Sequence, residues 1–319
     1  ETFEPEFIDA FEIGSKNTFL NGALQANITA FYYKYKGLQL SRITARTSVN
    51  DNVDADIYGV EGEFVLEPVE NLVFNISGSV MKTKVTSDKF LANPRNPAGD
   101  RSDAVIIKDI SNGANCAVIN NGPGGQAATR AFVNNVNAAI NAGAIPGLQP
   151  GAGLQGVTNF PADSGLPAGV GGAFSFCAVL QALSANTGFQ MLPEGVLQNI
   201  RGNELPQAPD YKISAGVQYT FNVGDNMSFV PRFDVAHTGP SFGNIFNGAI
   251  NRVPSYTVLN AQAQFNGPDD KWYVRAFVQN LTNSNAVTGL YVTDQSSGLF
   301  TNVFTLEPRR YGLAAGFRF

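Results

Sequence analysis

The stretch EPRRYGLAAGFRF, residues 307–319, alternates between two kinds of side chain. Successive side chains of a β-strand point to opposite faces, so residues of one parity share a face. One face is apolar with aromatic residues at both ends, and it consists of Tyr311, Leu313, Ala315, Phe317 and Phe319. The other face is small or charged, and it consists of Gly312, Ala314, Gly316 and Arg318. Such a strand suits a soluble sandwich, with its apolar face on a core, or a membrane barrel, with that face on lipid and the other on a lumen.

The composition excludes several classes of protein. The 319 residues contain no apolar run of about 18 residues, which excludes a helical membrane protein. The mean hydropathy is −0.06, and a membrane barrel is compatible with this value because alternation dilutes its hydropathy. The balance of 21 Lys and Arg against 26 Asp and Glu argues against nucleic acid as a partner.

Period-two alternation predicts an all-β, antiparallel fold of about nine strands. The predicted bounds are residues 8–17, 22–38, 55–66, 71–85, 209–221, 227–238, 255–265, 271–281 and 308–319.

The gaps between these strands are alternately short and long. The four short gaps are TFLN (18–21), EPVE (67–70), NVGDN (222–226) and NGPDD (266–270). Outer-membrane barrels have tight turns on the periplasmic side and long loops outside, which produces this rhythm. A Greek-key sandwich has no reason to keep it. The rhythm therefore favours a transmembrane β-barrel segment.

Aromatic residues on the apolar faces are sorted by height. We expect one girdle near the short turns, formed by Phe64, Phe74, Tyr219, Phe221, Phe229, Phe265, Trp272, Phe317 and Phe319. We expect a second girdle at the opposite ends, formed by Tyr32, Tyr58, Tyr211 and Tyr311. Two heights of aromatic rings on one face are typical of two membrane interfaces, so outer-membrane lipid is a predicted partner.

Several stretches together resemble the TonB-dependent receptors of the bacterial outer membrane. They are EPEFIDAFEIGSKNTFLNGALQANITAFYYKYKGLQL, ADIYGVEGEF, GNELPQAPDYKISAGVQYTF, VPSYTVLNAQAQF, WYVRAFVQNLTN and EPRRYGLAAGFRF. The resemblance implies a 22-stranded barrel filled by an N-terminal plug domain, whose TonB box recruits the energising protein. About nine strands that end in the family's last strand would be the closing fraction of that barrel.

A nine-stranded sheet has two open edges, and an unpaired edge amide costs several kcal/mol in lipid. We therefore expect pairing with the remaining barrel strands, from a longer form of the same gene product or from another polypeptide. The plug domain, and TonB through it, are the other expected partners. Phe11 and Ile13 should face lipid, whereas pairing of the Phe11 strand with the Phe317 strand would indicate a complete small porin.

Residues 86–208, called the insertion below, separate barrel strands in residues 1–85 from those in residues 209–319. The insertion is rich in Gly, Ala, Asn and Pro, and it is far longer than an ordinary loop. Its segment QAATRAFVNNVNAAINAG spaces Phe132, Val136 and Ile140 by four, which predicts one short amphipathic helix. The insertion is expected to be a folded extracellular cap or a ligand lid.

Cys116 and Cys177 are the two cysteines, and both lie in the insertion. Because thiols outside the cell are not kept reduced, the pair predicts a disulfide.

Charged and aromatic residues suggest two surfaces. By parity, Glu61, Glu63, Arg232, Asp234 and Arg275 project inward, where the resemblance implies contact with the plug or with water in the lumen. The outer loops carry exposed aromatic and basic residues that predict a ligand-binding surface: Arg42, Arg46, Phe242, Phe246, Arg252, Tyr291, Phe300 and Phe304.

Signals for catalysis and cofactors are weak. GAGLQG (151–156) fits a dinucleotide motif, but no strand precedes it in this Gly-rich segment. His237, the only histidine, has no Cys or carboxylate cluster around it in sequence, so no metal site is predicted. No nucleophile and base are placed for catalysis, so we expect neither a cofactor nor an enzyme.

The favoured function is TonB-energised uptake of a scarce nutrient through the outer membrane. Iron chelates, cobalamin-like cofactors, oligosaccharides and aromatic compounds all remain open as substrates. A passive porin is one alternative. A surface adhesin, or a structural subunit of an envelope complex, is another, suggested by the size of the insertion.

Overall fold

The computed structural model describes residues 4–44, 47–109, 111, 115–151, 153–224, 226–293 and 300–318. Four long strands open the chain: β1 (Phe7–Phe19), β2 (Leu24–Thr44), β3 (Thr47–Val69) and β4 (Leu72–Val85).

The insertion follows β4 and contains both strands and helices. Its elements are β5 (Phe90–Ala92), β6 (Val105–Asp109), β7 (Asn115–Asn120), α1 (Gly125–Asn141), β8 (Gln155–Asn159), β9 (Gly171–Ser175), α2 (Cys177–Ser184), β10 (Phe189–Leu192) and β11 (Leu197–Asn199).

Strands dominate the rest of the chain. They are β12 (Tyr211–Tyr219), β13 (Phe221–Val223), β14 (Met227–Thr238), β15 (Ser241–Phe242), β16 (Arg252–Val253), β17 (Tyr256–Asn266), β18 (Trp272–Gln279), β19 (Val287–Val292), β20 (Thr301–Thr305) and β21 (Arg310–Phe317).

The main sheet is an antiparallel meander in the order β1-β2-β3-β4-β12-β14-β17-β18-β21, with β13 also paired to β14. The predicted fold class, an antiparallel sheet of about nine strands, is confirmed. Over the described residues, β1 pairs only with β2 and β21 only with β18. The pairing of the first strand with the last, which a complete small porin requires, is therefore not part of this ladder.

The four short turns lie at one end of the sheet, and each places a short polar residue at positive φ. These residues are Asn21 (54°), Asn71 (70°), Asn226 (60°) and Asp269 (56°). Asn and Asp tolerate this left-handed conformation better than other residues with a Cβ. The long connections and the insertion consequently gather at the opposite end.

One face of the sheet is apolar and exposed. Phe11 and Ile13 lie on it as expected, opposite Tyr32 and Ala30 of the next strand. Aromatic neighbours occur at two heights of this face, with ring centroids 6.5 Å apart between Tyr32 and Tyr58.

The aromatic residues of the second height lie near the short turns. Phe221 and Phe229 are 6.2 Å apart, and Phe265 and Trp272 are 5.8 Å apart. Phe319 lies outside the described residues. The contact of these rings with the membrane interface stays a prediction. No helix of the described ranges is long and apolar enough to cross a membrane.

The hairpin of β2 and β3 is taller than predicted. The sequence suggested that the two strands end at 38 and begin at 55, but they continue to Thr44 and restart at Thr47. Pairing resumes after a bulge, between Leu38 and Val53, and continues to the tip. The apolar residues of this extension, Leu38, Leu40 and Val53, pack on the insertion and alternate over too short a stretch to reveal the strand from the sequence.

The insertion is a folded unit, and the prediction that it contains a single helix was wrong. Helix α1 confirms the amphipathic segment and buries Val133, Val136 and Ile140. A second helix, α2, and a five-stranded sheet in the order β10-β7-β6-β9-β8 were not predicted. The predicted disulfide is confirmed: Cys116 in β7 is bonded to Cys177 at the start of α2.

The insertion also packs on the end of the main sheet that lies opposite the short turns, called the outer end from here on. An apolar cluster joins Val53 and Val85 of the sheet to Leu91, Ile200 and Leu205 of the insertion. The Leu205 amide donates to Thr83 Oγ1 at 2.8 Å.

The two ends of the insertion leave the sheet side by side. The Val85 amide donates to the Asn203 carbonyl at 2.9 Å, and the Gly202 amide donates to the Val85 carbonyl at 2.8 Å. The insertion thus extends from a junction that is itself hydrogen-bonded.

An ion pair in the insertion predicts a dependence of stability on pH. Arg101 donates two hydrogen bonds to Asp103, at 2.8 and 2.7 Å, and lowers the pKa of that carboxyl. A lowered folded-state pKa stabilises the fold above the ordinary value of about 3.9. This contribution is lost as the pH falls through the lowered pKa. In thermal unfolding, Asp103→Asn should cost up to about 1 kcal/mol at neutral pH and almost nothing in strong acid.

The exposed Asp163→Asn, in the same insertion, is the matched control. A cost of Asp103→Asn that stays constant over the acid range would contradict the assignment.

Candidate ligand-binding surface

The outer end of the sheet gathers the loops that can contact a ligand. They are the tip of the β2–β3 hairpin, the insertion, the β14–β17 connection with its β15–β16 hairpin, and the β19–β20 hairpin. Loops held by a rigid scaffold are the usual place for binding residues.

The β19–β20 hairpin brings three predicted binding residues onto one face. Tyr291 pairs with Asn302, and Phe304 pairs with Gly289, so Tyr291 and Phe304 have the same orientation in the ladder. Phe300 continues this parity two residues before Asn302, and its carbonyl accepts from the Thr293 amide at 3.0 Å. All three aromatic side chains are about half exposed. The structure thus assembles an exposed aromatic face, whose ligand binding stays a prediction.

Phe242 and Arg252 face each other across the β15–β16 hairpin, and Arg252 is exposed. Phe246, predicted as an exposed residue, is instead partly buried against the apolar cluster at the outer end of the sheet. The apolar surface of the insertion covers it, which a loop sequence alone cannot show. The side chain of Arg42 and the whole of Arg46 lie outside the described residues.

The inward face of the sheet carries a polar network centred on Arg232. Its guanidinium donates to both oxygens of Asp234, at 2.6 to 3.0 Å. It also donates to Asn75 Oδ1 and Gln218 Oε1, each at 3.1 Å, so that it links β4, β12 and β14. A Cβ on Gly216 would lie 2.5 Å from both Arg232 Nη2 and Asp234 Oδ1, so glycine is needed there.

Glu61 and Glu63 are exposed on the same inward face, and Arg275 is partly buried. Parity therefore oriented these charged residues correctly, but their contact with a plug domain stays a prediction.

Removing the Arg232 guanidinium should destabilise the sheet. Arg232→Met keeps the length of the side chain but leaves Asp234, Asn75 and Gln218 without their shared donor. We expect a loss of about 1–2 kcal/mol, because the site is partly wet and water replaces some of the bonds. The urea midpoint of the protein refolded in vesicles measures it. Lys212→Met, an exposed cation on the same face, should change little, and equal losses for the two variants would refute the role of the network.

A cavity of about 340 Å³ lies between the insertion and the β14–β17 connection, and the sequence analysis missed it. Asn96, Asp100 and Gln198 of the insertion line one side, and Phe246 and Asn251 line the other. Of the predicted binding residues, Phe246 contributes to this cavity. Polar residues scattered over irregular segments carry no periodic signal, so the cavity could not be predicted.

His237 lies at the outer end of β14. Its ring stacks on Tyr211 with centroids 5.6 Å apart, and its Nδ1 is 2.8 Å from Thr257 Oγ1. Within the described ranges, no group of three or more His, Cys, Asp or Glu residues is placed to hold a metal ion.

The family model described as "TonB dependent receptor-like, beta-barrel" matches residues 1–103 and 120–281. The chain belongs to the TonB-dependent receptor family. The resemblance stated from the sequence is confirmed, and the family assigns the chain to a receptor of the bacterial outer membrane. No curated protein matches it.

Solved receptor structures share this fold at low identity. The ferric yersiniabactin uptake receptor FyuA from Yersinia pestis is 14% identical, with a TM-score of 0.54 over 98% of this chain and 30% of that one. The siderophore receptor PiuA from Acinetobacter baumannii is 13% identical, with a TM-score of 0.51 over 98% of this chain and 28% of that one. The copper transporter OprC is 12% identical, with a TM-score of 0.52 over 100% of this chain and 32% of that one. This receptor chain thus spans about a third of the length of these structures, and the likeness shows the fold alone.

Proposed function

We propose that this protein takes up a scarce nutrient across the outer membrane by TonB-energised transport. The observation that carries the proposal is the architecture of the family's barrel: an open meander with one apolar face, one polar face and all long connections at one end. The remaining strands and a plug domain would complete the pathway. Those parts, in the same gene product or another chain, are its proposed partners together with TonB.

Uptake in cells tests the proposal. Labelled iron chelates, cobalamin, oligosaccharides and aromatic acids are supplied to cells with and without the receptor gene, each with and without TonB. Uptake of one compound that needs both proteins supports TonB-energised transport. Uptake that needs the receptor gene but persists without TonB supports the passive porin and overturns the proposal.

A second candidate, a surface adhesin, is favoured by one observation. The insertion has its own apolar core, in which Val105, Ile107, Val118 and Leu180 are fully buried, and it folds like an independent module. Deleting residues 90–200 separates the two roles, because the ends of the insertion are hydrogen-bonded to each other. Lost uptake supports a lid over the transport pathway, whereas lost capture of a partner cell with normal uptake supports the adhesin.

A further inference from the structure

Four exposed lysines gather on the apolar face of the sheet, at its outer end. They form the lysine patch, which consists of Lys34 and Lys36 of β2 and Lys82 and Lys84 of β4. Lys82 pairs with Tyr58, and Tyr58 pairs with Tyr32, so these three residues form one row across the strands. Lys34 and Lys84 lie two residues beyond this row, which places them about 7 Å further out.

The lysine patch marks the edge of the apolar face. On the described stretches 24–32, 58–66 and 72–80, every residue of that face is uncharged. The rings of Tyr32 and Tyr58, with centroids 6.5 Å apart, end this uncharged zone. Tyrosine rings are enriched at membrane–water interfaces, at the level of the lipid headgroups. Where the apolar face meets lipid, the lysines therefore lie at the height of the outer headgroups.

Two lysines of the patch are paired with carboxylates. Lys82 Nζ is 2.7 Å from Asp210 Oδ1, and Lys36 Nζ is 3.7 Å from Asp9 Oδ2. These two pairs are electrically neutral, so the charge of the patch is decided by the other two lysines.

Lys34 and Lys84 form no ion pair with any residue in the described ranges. They flank Asp56, because Lys34 pairs with Asp56 in one ladder and Asp56 pairs with Lys84 in the next. Neighbouring strands are about 4.8 Å apart, so the two lysines are separated by about 10 Å at their Cα atoms. Their flexible stems can bring both ammonium groups to one anion. Two ammonium groups around one carboxylate leave an excess of one positive charge.

The surroundings of the patch select an amphiphilic anion. Ile13, Val60 and Val80 lie on the same face between the tyrosine row and the short turns, and all three are exposed. Acyl chains can cover these side chains while a phosphate accepts from the ammonium groups. A free phosphate, or an acidic segment of another protein, would use the charged part alone. A lipid without net charge would leave the excess positive charge uncompensated.

We propose that the lysine patch binds the phosphate-bearing headgroup of an anionic lipid in the outer leaflet, with the acyl chains on the apolar face. The inference rests on the proposed contact of this face with lipid, and it goes beyond the proposed transport. Lys34 and Lys84 hold the phosphate, and Lys36 and Lys82 flank it. Lys84 directly precedes Val85, where the two ends of the insertion are hydrogen-bonded to each other. The bound lipid therefore also supports the base of the insertion.

The test is lipid binding to the purified full-length receptor in a neutral detergent without phosphate. Diphosphoryl lipid A, phosphatidylglycerol and phosphatidylcholine are titrated, and native mass spectrometry counts the bound lipids. We expect the first two, which carry net negative charge, to bind more tightly than phosphatidylcholine. The double variant Lys34→Gln, Lys84→Gln should weaken their binding about 10- to 30-fold, because each lysine near an anionic lipid contributes roughly a factor of five. Lys34→Arg, Lys84→Arg should retain it.

Asp56→Asn should change the affinity in the opposite direction. Removing the carboxylate between the two lysines raises the local positive charge, so the anionic lipids should bind about two- to fivefold more tightly. Weaker binding by this variant would contradict the placement of the phosphate over Asp56.

The double variant Lys108→Gln, Lys212→Gln is the matched control. It removes the same net charge from two exposed lysines, one in the insertion and one on the inward face. Lipid binding should be unchanged, and thermal unfolding of both glutamine variants should match the wild type. An equal loss of binding in the control would show that net charge alone attracts the lipids and would overturn the inference.

Other results would also overturn it. They are equal binding of phosphatidylcholine and the anionic lipids, or unchanged lipid binding by Lys34→Gln, Lys84→Gln. Inorganic phosphate and polyglutamate are titrated as alternative occupants. If one of them binds in a variant-sensitive way while the receptor shows no preference for anionic lipids, the patch belongs to a free anion or an acidic protein instead.

The lipid measurements need neither TonB nor a nutrient. Loss of lipid preference alongside normal TonB-dependent uptake would reject the lipid site and leave the proposed transport intact. A variant-sensitive lipid preference in a receptor without TonB-dependent uptake would do the reverse.

Discussion

Ile76→Arg should prevent stable insertion of the sheet into a membrane, whereas arginine at the next residue should be tolerated. Ile76 is 45% exposed on the apolar face, between Phe74 near the short turn and Lys82 at the outer end of the same strand. A lipid-facing arginine costs about 2–4 kcal/mol at the bilayer midplane and about 0–1 kcal/mol near an interface, and Ile76, two residues from Phe74, lies between these depths. Urea unfolding in vesicles, together with the heat-dependent shift in gel migration of folded barrels, measures the loss.

Ser77→Arg is the matched control. Ser77 lies on the inward face opposite Glu63 and shares a hydrogen bond of 2.7 Å with Ser214 Oγ. An arginine there meets water and a nearby carboxylate, so we expect a change below about 0.5 kcal/mol. Equal losses at both positions would refute the assignment of the two faces and, with it, the membrane orientation of the sheet.

Reducing the Cys116–Cys177 disulfide should destabilise the insertion by about 4 kcal/mol and leave the main sheet folded. The bond closes a loop with a sequence separation of 61, and the chain-entropy model gives this size for such a loop. Cys116 is 1% exposed and Cys177 is 9% exposed, so both sulfurs belong to the core of the insertion. Hydrogen exchange of β6 and β7 should accelerate strongly, while exchange of β14 and β17 stays slow.

Two comparisons keep this result interpretable. The reduced wild type retains every core atom, whereas the Cys116→Ala, Cys177→Ala double variant also loses packing, so the difference between them isolates the cavity term. Free thiols at both positions in protein that was never reduced would show that the bond does not form, and would weaken the extracellular assignment of the insertion.

The period-two alternation of side chains was sufficient to predict the main sheet, apart from the extension of β2 and β3 to Thr44 and Thr47. Alternation fixed the faces, so that Phe11, Ile13 and Arg232 have the orientations their parity predicted. The short turns contain residues such as Asn71 and Asn226, which tolerate the positive φ that these turns require.

Local rules failed in the insertion, because its elements are short and buried by distant partners. The strand GGAFS (171–175) pairs in parallel with VIIKD (105–109), more than sixty residues away, and shows no clean period. Helix α2 has eight residues, too few to establish a helical repeat.

Some features of the candidate binding surface were also predictable from the sequence, whereas others were not. Tyr291 and Phe304 could be selected as aromatic loop residues, and the hairpin register brings them to one face. The burial of Phe246, and the placement of Asn96 and Asn251 around one cavity, depend on contacts between segments far apart in the chain. A single sequence contains no information on such contacts beyond residue type.

The hydrogen-bonded junction at Val85 and Gly202 has a consequence for the order of folding. Strands β4 and β12 pair across more than a hundred intervening residues, and closing so long a flexible loop costs about 3 kcal/mol more than closing a tight turn. If the insertion folds first, its ends already lie together and the long separation shrinks to an effective hairpin. The disulfide-bonded insertion would then act as a nucleus that brings the two halves of the sheet into register, so that reduction before folding slows assembly of strands that contain no cysteine.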